Sequence, residues 1–519
     1  MGLASSELSS EVERLRALSK DDLIQKIQEL EKSKDAEVTK LVELIRLLRR
    51  RHFGKSSEKL KPETQLGLFN EAEELAATNP EKDEEAEEVV HVPAHDRKKP
   101  KRKRLPPDLP REDQVIELSE AERICPNDGK LMFEIGEEVS EKLDVIPLQL
   151  KVKRTIRKKY GCECESCVKI APNPPQAIPK SLATAGSLAA IATWKYADAL
   201  PLYRIEGIFH RHGIEISRGT LAFWMIRTGT LLQPLINLLN DELIASSYLQ
   251  MDETRVQVLK EEGKRAESLS YMWVRARPGK DPIILFDYDP TRSGTVPVKL
   301  LEGFSGHLQV DGYGGYNEVT SRADVSRGGC FMHLRRKFFE AAKVSKKDGL
   351  GKHGLKYIVG LYAVEEECRE LPFETRYLER QKHSKPILDE MHNWILETKP
   401  KVPPQTAIGR AFSYAHDEWQ YLISFMNDGR YEMDNGFVEN IIRPFAIGRK
   451  NWLFSDTVDG AIASSNIYSM VVTAKANGLE PYAYLRFILE RLPLAKTVED
   501  FEKLLPAAVK LVLLKDLLK

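Results

Sequence analysis

The chain has 519 residues, 42% hydrophobic and 30% charged, with 78 acidic and 78 basic side chains and a formal net charge of +0. That length accommodates about three or four domains of ~100–200 residues. The charge balance excludes a uniformly basic nucleic-acid binder but leaves local patches open. No apolar run reaches the ~18 residues of a membrane span, MGLASSELSSEVERL lacks the apolar region of a signal peptide, and six cysteines in so long a chain do not make a disulfide scaffold.

Residues 1–60 are expected to be helical. Leu23, Ile27, Leu30, Val38, Leu41, Ile45 and Leu48 recur at spacings of three and four, an a/d-like seam interrupted from Glu31 to Glu37. The seam serves either a dimeric coiled coil or packing on the chain's own body. A basic cluster, Arg46 to Lys59, follows it; its two readings are a solvated helix face and a phosphate contact. Residues 61–110 have the composition of a disordered linker, acidic and poor in aromatics from Glu71 to Glu88. Arg97 to Arg104 is a dense basic run that either meets a nucleic-acid backbone by counterion release or pairs with the acidic run before it.

Residues 111–175 read as a small zinc-ribbon-like domain. ICPNDGKL carries Cys125 and YGCECESC carries Cys162, Cys164 and Cys167. Between them EKLDVIPLQLKVKRTIRKKY alternates like a pair of strands. A structural zinc needs four N, S or O ligands in a tetrahedron. Cys125, Asp128, Cys164 and Cys167 supply one set, with Cys162 as an alternative fourth ligand. Asp128 stands where a second cysteine is expected, so a knuckle that has lost its metal is the other reading.

Residues 176–240 are expected to be helical, and LPLYRIEGIFHRHGIEISRGTLAFWMIRTG has the pattern of a helix-turn-helix. Leu202, Ile205, Ile208 and Phe209 mark one apolar face, His212-Gly213 breaks the helix, Ser217 is placed as an N-cap, and Leu221, Trp224 and Met225 continue the next face. In a major groove, Arg218 and Thr220 would face the DNA. Two packed helices without a DNA role fit the same pattern.

Residues 241–455 carry the chemistry. In SSYLQMDETRVQV, Tyr248, Gln250 and Asp252 alternate with Leu249 and Met251, and the strand is expected to end on Asp252. SYMWVRARP and PIILFDYDP are further strands and TVPVKLLEGF a short helix. GHLQVDGYGGYN ends a second strand on Asp311, with glycines that admit a ligand or another backbone. Gly329 to His333 is expected as a short apolar strand, followed by a helix with Arg335, Arg336 and Lys337 clustered. Residues 343–429, charged and without strand pattern, read as an inserted helical subdomain with Trp419 and Phe425 in its core. DNGFVENIIRPFAIGRKNWLF then sets Glu439 at a helix start, close to Asn435 and Asn440, with Arg443, Arg449 and Lys450 behind it. An acid among so many cations is either a surface ion pair or part of a divalent-metal site beside a polyanion. Two strands bearing Asp252 and Asp311 favour the second reading. Glu253, next to Asp252 on a strand, should face away. His333 either orients a phosphate or a metal water, or packs in a core. After the Glu439 helix the chain is expected to continue in helix through GRKNWLFSDTVDGAIASSNIYSMVVTAKA to a stop at Asn477-Gly478, with residues 456–519 a C-terminal helical region in which LLPAAVKLVLLKDLLK forms packing surface. The fold class is multidomain α+β.

MDET, VDGYGGYN, HLRRKFFE and NGFVENIIRPFAIGRKNWLF resemble the insertion sequence 66 family of bacterial DDE transposases. The likeness extends to the helical N-terminus ending in RRHFGKSSEKL, the ribbon-like segment and KYADALPLYRIEGIFHRHGIEISRGTLAFW. It implies an RNase H-like catalytic core in which Asp252, Asp311 and Glu439 hold two Mg²⁺ (or Mn²⁺) ions and a helical insertion precedes the glutamate. It also implies metal-dependent 3′-end cleavage and strand transfer, with transposon ends and target DNA as partners. Arg335, Arg336, Lys337, Arg443, Arg449 and Lys450 would hold phosphates. A cytoplasmic, nucleoid-associated protein, a homodimer or higher oligomer, and small accessory proteins of the same element complete the expectation. The alternatives are a non-catalytic DNA-binding regulator and an RNase H-like nuclease without strand transfer.

Overall fold

The computed structural model describes residues 150–161, 168–344 and 349–510. The N-terminal seam, the linker with its acidic and basic runs, Cys125, Asp128, Cys162, Cys164, Cys167 and the last nine residues lie outside them. The chain divides into a unit spanning 56–156 and another made of 1–55 with 157–519.

The described part of the first unit, Leu150–Ile156, is irregular, and so are the residues up to Lys158, where the sequence pattern suggested strands. Val152 and Ile156 are 89% and 76% exposed. Side chains so exposed bury no apolar face, and packing is most of what makes a strand. Pairing starts later: β1 (Lys159–Gly161) runs antiparallel to β2 (Val168–Ile170), the two flanking residues 162–167.

In the second unit, α1 (Ala185–Ala192) is capped by Thr184, whose hydroxyl accepts from Ser187 N–H. α2 (Leu202–Arg211) ends at His212, and Gly213 takes the left-handed conformation that closes it (φ 73°). Ser217 caps α3 (Arg218–Ile244), accepting from Thr220 N–H at 3.2 Å. The Ser217 cap and the break at His212-Gly213 fall where the sequence puts them. α3 runs 27 residues through Pro234 and buries Leu221, Trp224 and Met225 together with a stripe that continues to Leu243.

β3 (Tyr248–Lys260), β4 (Leu269–Arg277) and β5 (Ile283–Asp289) form an antiparallel meander. α4 (Thr295–Leu300) leads to β6 (Gly306–Gln309), and α5 (Asn317–Thr320) to β7 (Val325–Gly328). β6 lies parallel to β3 and β7 parallel to β6, so the strand order is β5-β4-β3-β6-β7. The strand expected at Gly329–His333 is displaced: β7 precedes it, and α6 (Phe331–Val344) already starts at Phe331. Gly329 leaves the sheet because its N–H donates to Tyr421 O at 2.8 Å, and a side chain there would meet the Tyr421–Leu422 backbone.

The inserted segment is helical, as expected: α7 (Leu350–Cys368), α8 (Phe373–Glu379), α9 (Lys385–Thr398), α10 (Ala407–Asp417) and α11 (Trp419–Leu422). Trp419 and Phe425 are buried, joined by Phe338 and Phe412. A fully buried Arg380 ties the insertion together, forked onto Glu365 at 2.8 and 2.6 Å and donating to Phe425 O and Asp428 O.

α12 (Gly436–Trp452) does not run on as one helix. It stops at Leu453 (φ 64°), and β8 (Ser455–Thr457) pairs in parallel with the far half of β3 before α13 (Val458–Ala476) begins. α14 (Pro481–Arg491) and α15 (Val498–Glu502) follow the stop at Asn477-Gly478. Leu504, Leu505 and Val509 are buried, so the described start of the C-terminal segment is packing surface.

The polar residues of α13 have a purpose at the sheet edge. Phe286 N–H donates to Ser469 Oγ at 2.8 Å. Ile284 exchanges two bonds with Thr473 Oγ1, at 3.1 and 2.9 Å, and Asn477 Nδ2 donates to Pro282 O at 2.9 Å. Spaced by four, these side chains satisfy the open edge of β5, which would otherwise pair with another chain. α13 also crosses α3 closely, where Gly229 faces Ala463. One hydrophobic cluster extends from Ala177 to Val509 through the sheet. Among the described residues no helix is long and apolar enough to cross a membrane.

Candidate active site

The first two acids are brought together by strand register. β3 and β6 are parallel neighbours with Gln250 opposite Gln309. Asp252 and Asp311 each lie two residues further on, so they have the same parity and leave adjacent strands, about 4.8 Å apart, on one face. Asp311 sits just past the end of β6, where its Oδ1 accepts from Tyr313 N–H at 2.9 Å and turns the chain away. Asp252 does not end its strand. β3 continues to Lys260, with Asp252 opposite Val274 of β4 and its Oδ1 accepting from Glu253 N–H at 2.8 Å. The far half of β3 persists because β4 and β8 pair along it.

Glu439 arrives from α12, in its first turn. Asn435 occupies the cap position, but its side chain makes no cap bond. It is fully buried and donates from Nδ2 to Met251 O at 2.9 Å. Val438 N–H donates to Gln250 Oε1 at 3.2 Å, and Gly436 N–H to Asp434 Oδ1 at 2.7 Å. The opening turn of the helix is therefore bonded directly to the strand that carries Asp252. Asn440, by contrast, is exposed.

His333, on the first turn of α6, stands between two acids. Its Nδ1 is 3.3 Å from Glu439 Oε1 and its Nε2 is 3.9 Å from Asp311 Oδ2. Neither contact is an aligned hydrogen bond: Nδ1 has no bonding partner, and Nε2 lies too far from its oxygen. Cys330, fully buried, points its Sγ at Glu439 Oε1 (3.7 Å) and accepts from Asn435 N–H at 3.3 Å. Ligand atoms of Cys330, His333 and Glu439 all lie within 4.8 Å of one another. Arg336 Nη2 is 3.4 Å from Glu439 Oε2.

These groups are poised against their own charge. Burial, followed by the negative charges of Glu253, Asp311 and Glu439, holds the Asp252 carboxyl well above its ordinary range. Burial also raises Glu439, with Arg336 opposing it and Asp434 and Asp311 adding to it. Burial pushes His333 down, and the cations Arg336 and Lys337 reinforce that against Asp311. Carboxylates that repel one another in a half-buried recess form a donor set fitted to divalent cations, whose ligands are oxygens. Glu253 belongs to a separate group: it accepts from Arg292 Nε and Tyr316 OH, each at 2.6 Å.

The cations expected to meet phosphate are spread over several surfaces. Arg335 lies over the Tyr362 ring at 5.5 Å and Lys337 over Tyr414 at 4.7 Å. Arg443 and Lys450 fall on the Glu439 side of α12 by helical spacing, Arg443 half-buried and Lys450 exposed. Arg449 is turned from that side. It donates to Arg255 O and lines a cavity of about 280 Å³ with Glu253, Thr254, Arg255, Tyr271 and Arg292. Arg218 and Thr220 are exposed at the start of α3, Arg218 donating its N–H to Glu206 at 3.0 Å. The sequence does not single out Gln250, Cys330 or Asp434. The available signals are the period of two from Gln250 to Asp252 and the three-residue spacing from Cys330 to His333, which puts both on one side of a helix start.

Comparison with known proteins bears on the same residues. The family described as "Transposase IS66 family" matches residues 180–463, and "IS66 C-terminal element" matches 469–507. "Zinc-finger binding domain of transposase IS66" matches 122–165, and "Transposase C of IS166 homeodomain" 40–113. Three similar proteins come from Sinorhizobium fredii (strain NBRC 101917 / NGR234). The uncharacterized protein y4jD is 34% identical over 417 residues, covering 78% of this chain and 81% of the relative. Uncharacterized protein y4qI is 30% identical over 502 residues, covering 93% and 91%. Uncharacterized protein y4hP is 29% identical over 478 residues, covering 86% and 85%.

Proposed function

Because this chain belongs to the IS66 family of transposases, we propose that it is a DDE-type DNA transposase with Asp252, Asp311 and Glu439 as its metal-holding triad. Membership supports a DNA-processing role with DNA-binding and zinc-finger segments. The observation that carries the finer reading is the register that sets Asp252 beside Asp311, with Glu439 bonded in from α12. A mixed sheet of order β5-β4-β3-β6-β7, with β3, β4 and β5 antiparallel and β6 and β7 parallel to β3, supports an RNase H-like core over 241–455. The helical insertion precedes its glutamate.

When bound by the three carboxylates, a pair of divalent ions (Mg²⁺ or Mn²⁺) supplies activation of the attacking oxygen and stabilisation of the leaving oxygen. The protein's share is positioning. Asn435 and Gln250 hold the Glu439 turn against β3, and Arg336 directs the Glu439 carboxylate. His333, kept neutral by its surroundings, orients water or a phosphate oxygen between Asp311 and Glu439. Arg443, Lys450 and the cluster Arg335–Lys337 hold phosphates near the acids, Arg449 holds one in its own cavity, and Arg218 and Thr220 meet DNA at α3. Water attacks the phosphorus at the element's end and displaces the 3′-oxygen, leaving a 5′-phosphate on the flanking strand; the freed 3′-hydroxyl then attacks a target phosphodiester, joining to its phosphorus as the target's own 3′-oxygen leaves. Cys125, Asp128, Cys164 and Cys167, or Cys162 in place of one of them, would hold a structural zinc, and the N-terminal seam would join copies of the chain.

The test is nicking and strand transfer by the full chain with Mg²⁺ on duplexes from the ends of its own element, repeated for Asp252→Ala, Asp311→Ala and Glu439→Ala. Wild-type rates in any one of the three sink the triad. A nicked product that never becomes a joined one leaves a plain nuclease.

A further inference from the structure

We propose that the turn Trp452–Leu453–Phe454, beyond the end of the Glu439 helix, is an apolar wedge that enters duplex DNA and unstacks one base step. The proposal rests on the transposase reading above.

The turn has a strained shape. Leu453 has φ 64° and ψ −55°, and Phe454 N–H donates across it to Trp452 O at 2.8 Å. That is the geometry of a γ-turn of the rare, strained kind. Glycine would adopt it without penalty, yet a leucine stands there. Such conformations persist where the surroundings fix both flanks, and here they do. Leu453 N–H donates to Arg449 O at 2.7 Å, Ser455 pairs with Val258, and Lys260 bonds Asp456 at 2.8 Å. Trp452 anchors the base of the turn against Phe445 (5.5 Å), with Lys195 over its ring. The result holds out two large apolar side chains, Leu453 60% and Phe454 42% exposed, where solvation alone would favour polar ones.

Charge identifies the occupant. Glu439, Arg443, Ile447 and Lys450 follow at steps of four, four and three, so one side of α12 reads acid, cation, apolar, cation, and the turn adds its apolar tip just past the helix end. Ile447 is itself 51% exposed. A second protein surface could cover the apolar residues but has no need of the cations between them. Duplex DNA needs both, since phosphates run along either side of the bases and wedges of Leu or Phe between base steps unstack and kink the duplex. Leu453 lies 14 residues beyond Glu439, roughly 21 Å along the axis. At ~3.4 Å per base pair that is about six base pairs from the nicked phosphate.

The experiment uses the full chain and duplexes from the ends of its own element, each with a single 2-aminopurine at one position, binding being followed separately by anisotropy. Fluorescence should rise several-fold at one step, about six base pairs from the nick. Leu453→Gly, which suits the backbone and should fold, and Phe454→Ala should abolish the rise. Both variants should bind the matched duplex several-fold more weakly, and a mismatch at that step, which lowers the cost of unstacking, should restore their affinity to the wild-type level. Ile462→Ala, an exposed apolar residue on α13, should keep the signal. Binding and nicking with flat fluorescence at every position overturns the wedge and leaves the transposase reading standing. So does a Leu453→Gly protein that keeps the rise, or variants whose only change is a smaller assembly, which would make the turn a contact between copies. Failure of the wild type to bind any such duplex overturns both.

Discussion

The side-chain amide of Asn435 donates to the carbonyl of Met251 at 2.9 Å, a bond between residues 184 positions apart. It fixes the start of the Glu439 helix against the strand one residue before Asp252. Asn435→Ala should orphan that buried carbonyl and destabilise the protein by ~1–3 kcal/mol. Nicking should fall further than the unfolded fraction accounts for, because Glu439 loses its registration. Urea midpoints and rates measured under native conditions separate the two effects. Unchanged values for both would refute the role given to Asn435.

The repulsion within the acid recess gives opposite signs for stability and function. In chelator, Asp252→Asn should unfold at a higher temperature than the wild type, since a desolvated carboxylate within the negative field of Glu253, Asp311 and Glu439 is removed. Mg²⁺ should reverse the order. Ligand at a hundredfold over its Kd adds about 2.7 kcal/mol to the wild type and little to the variant. Thermal scans with and without Mg²⁺ decide it without any DNA present; equal metal-induced shifts in both proteins would count against the triad.

His307 predicts an acid-labile fold. It stacks on Tyr431 with centroids 3.8 Å apart, its Nδ1 meets Ser326 Oγ at 2.9 Å, and burial pushes its pKa from 6.5 down to about 4. A histidine depressed in the folded state leaves the unfolded chain holding more protons between those values, so stability falls as pH drops from about 6.5 through 4. The loss attributable to this group is about 3 kcal/mol. His307→Gln should remove that slope, read as the difference between the two proteins' denaturation midpoints across the window. Parallel pH profiles would mean that His307 does not titrate as described.

Thr473 closes the β5 edge by exchanging two bonds with the Ile284 backbone. Thr473→Val keeps the volume and removes both, and should cost about 2–3 kcal/mol. Hydrogen exchange at the Ile284 amide should accelerate with it. A valine variant as stable and as protected as the wild type would show that water serves the edge equally well.

Much of the fold was legible before any tertiary contact was known. Alternation at Tyr248–Asp252 and Leu308–Val310 marks strands because a half-buried sheet sorts residues with a period of two. Ser217, Gly213 and Asn477-Gly478 mark helix ends because caps and left-handed residues act on their own neighbours. Where the reading failed, at Gly329–His333, Leu150–Lys158 and Leu453, a short apolar or alternating run met a partner, or lacked one, that local pattern does not specify. The recess itself is half encoded. Each acid can be nominated from its own segment, but the sequence does not say that Gln250 pairs with Gln309, that Cys330 turns its sulfur to Glu439, or that Ser469, Thr473 and Asn477 face a strand edge. Periodicity states which side of an element is buried. Only the folded chain decides what covers it, because hydrogen bonds between distant segments depend on the packing of everything between them.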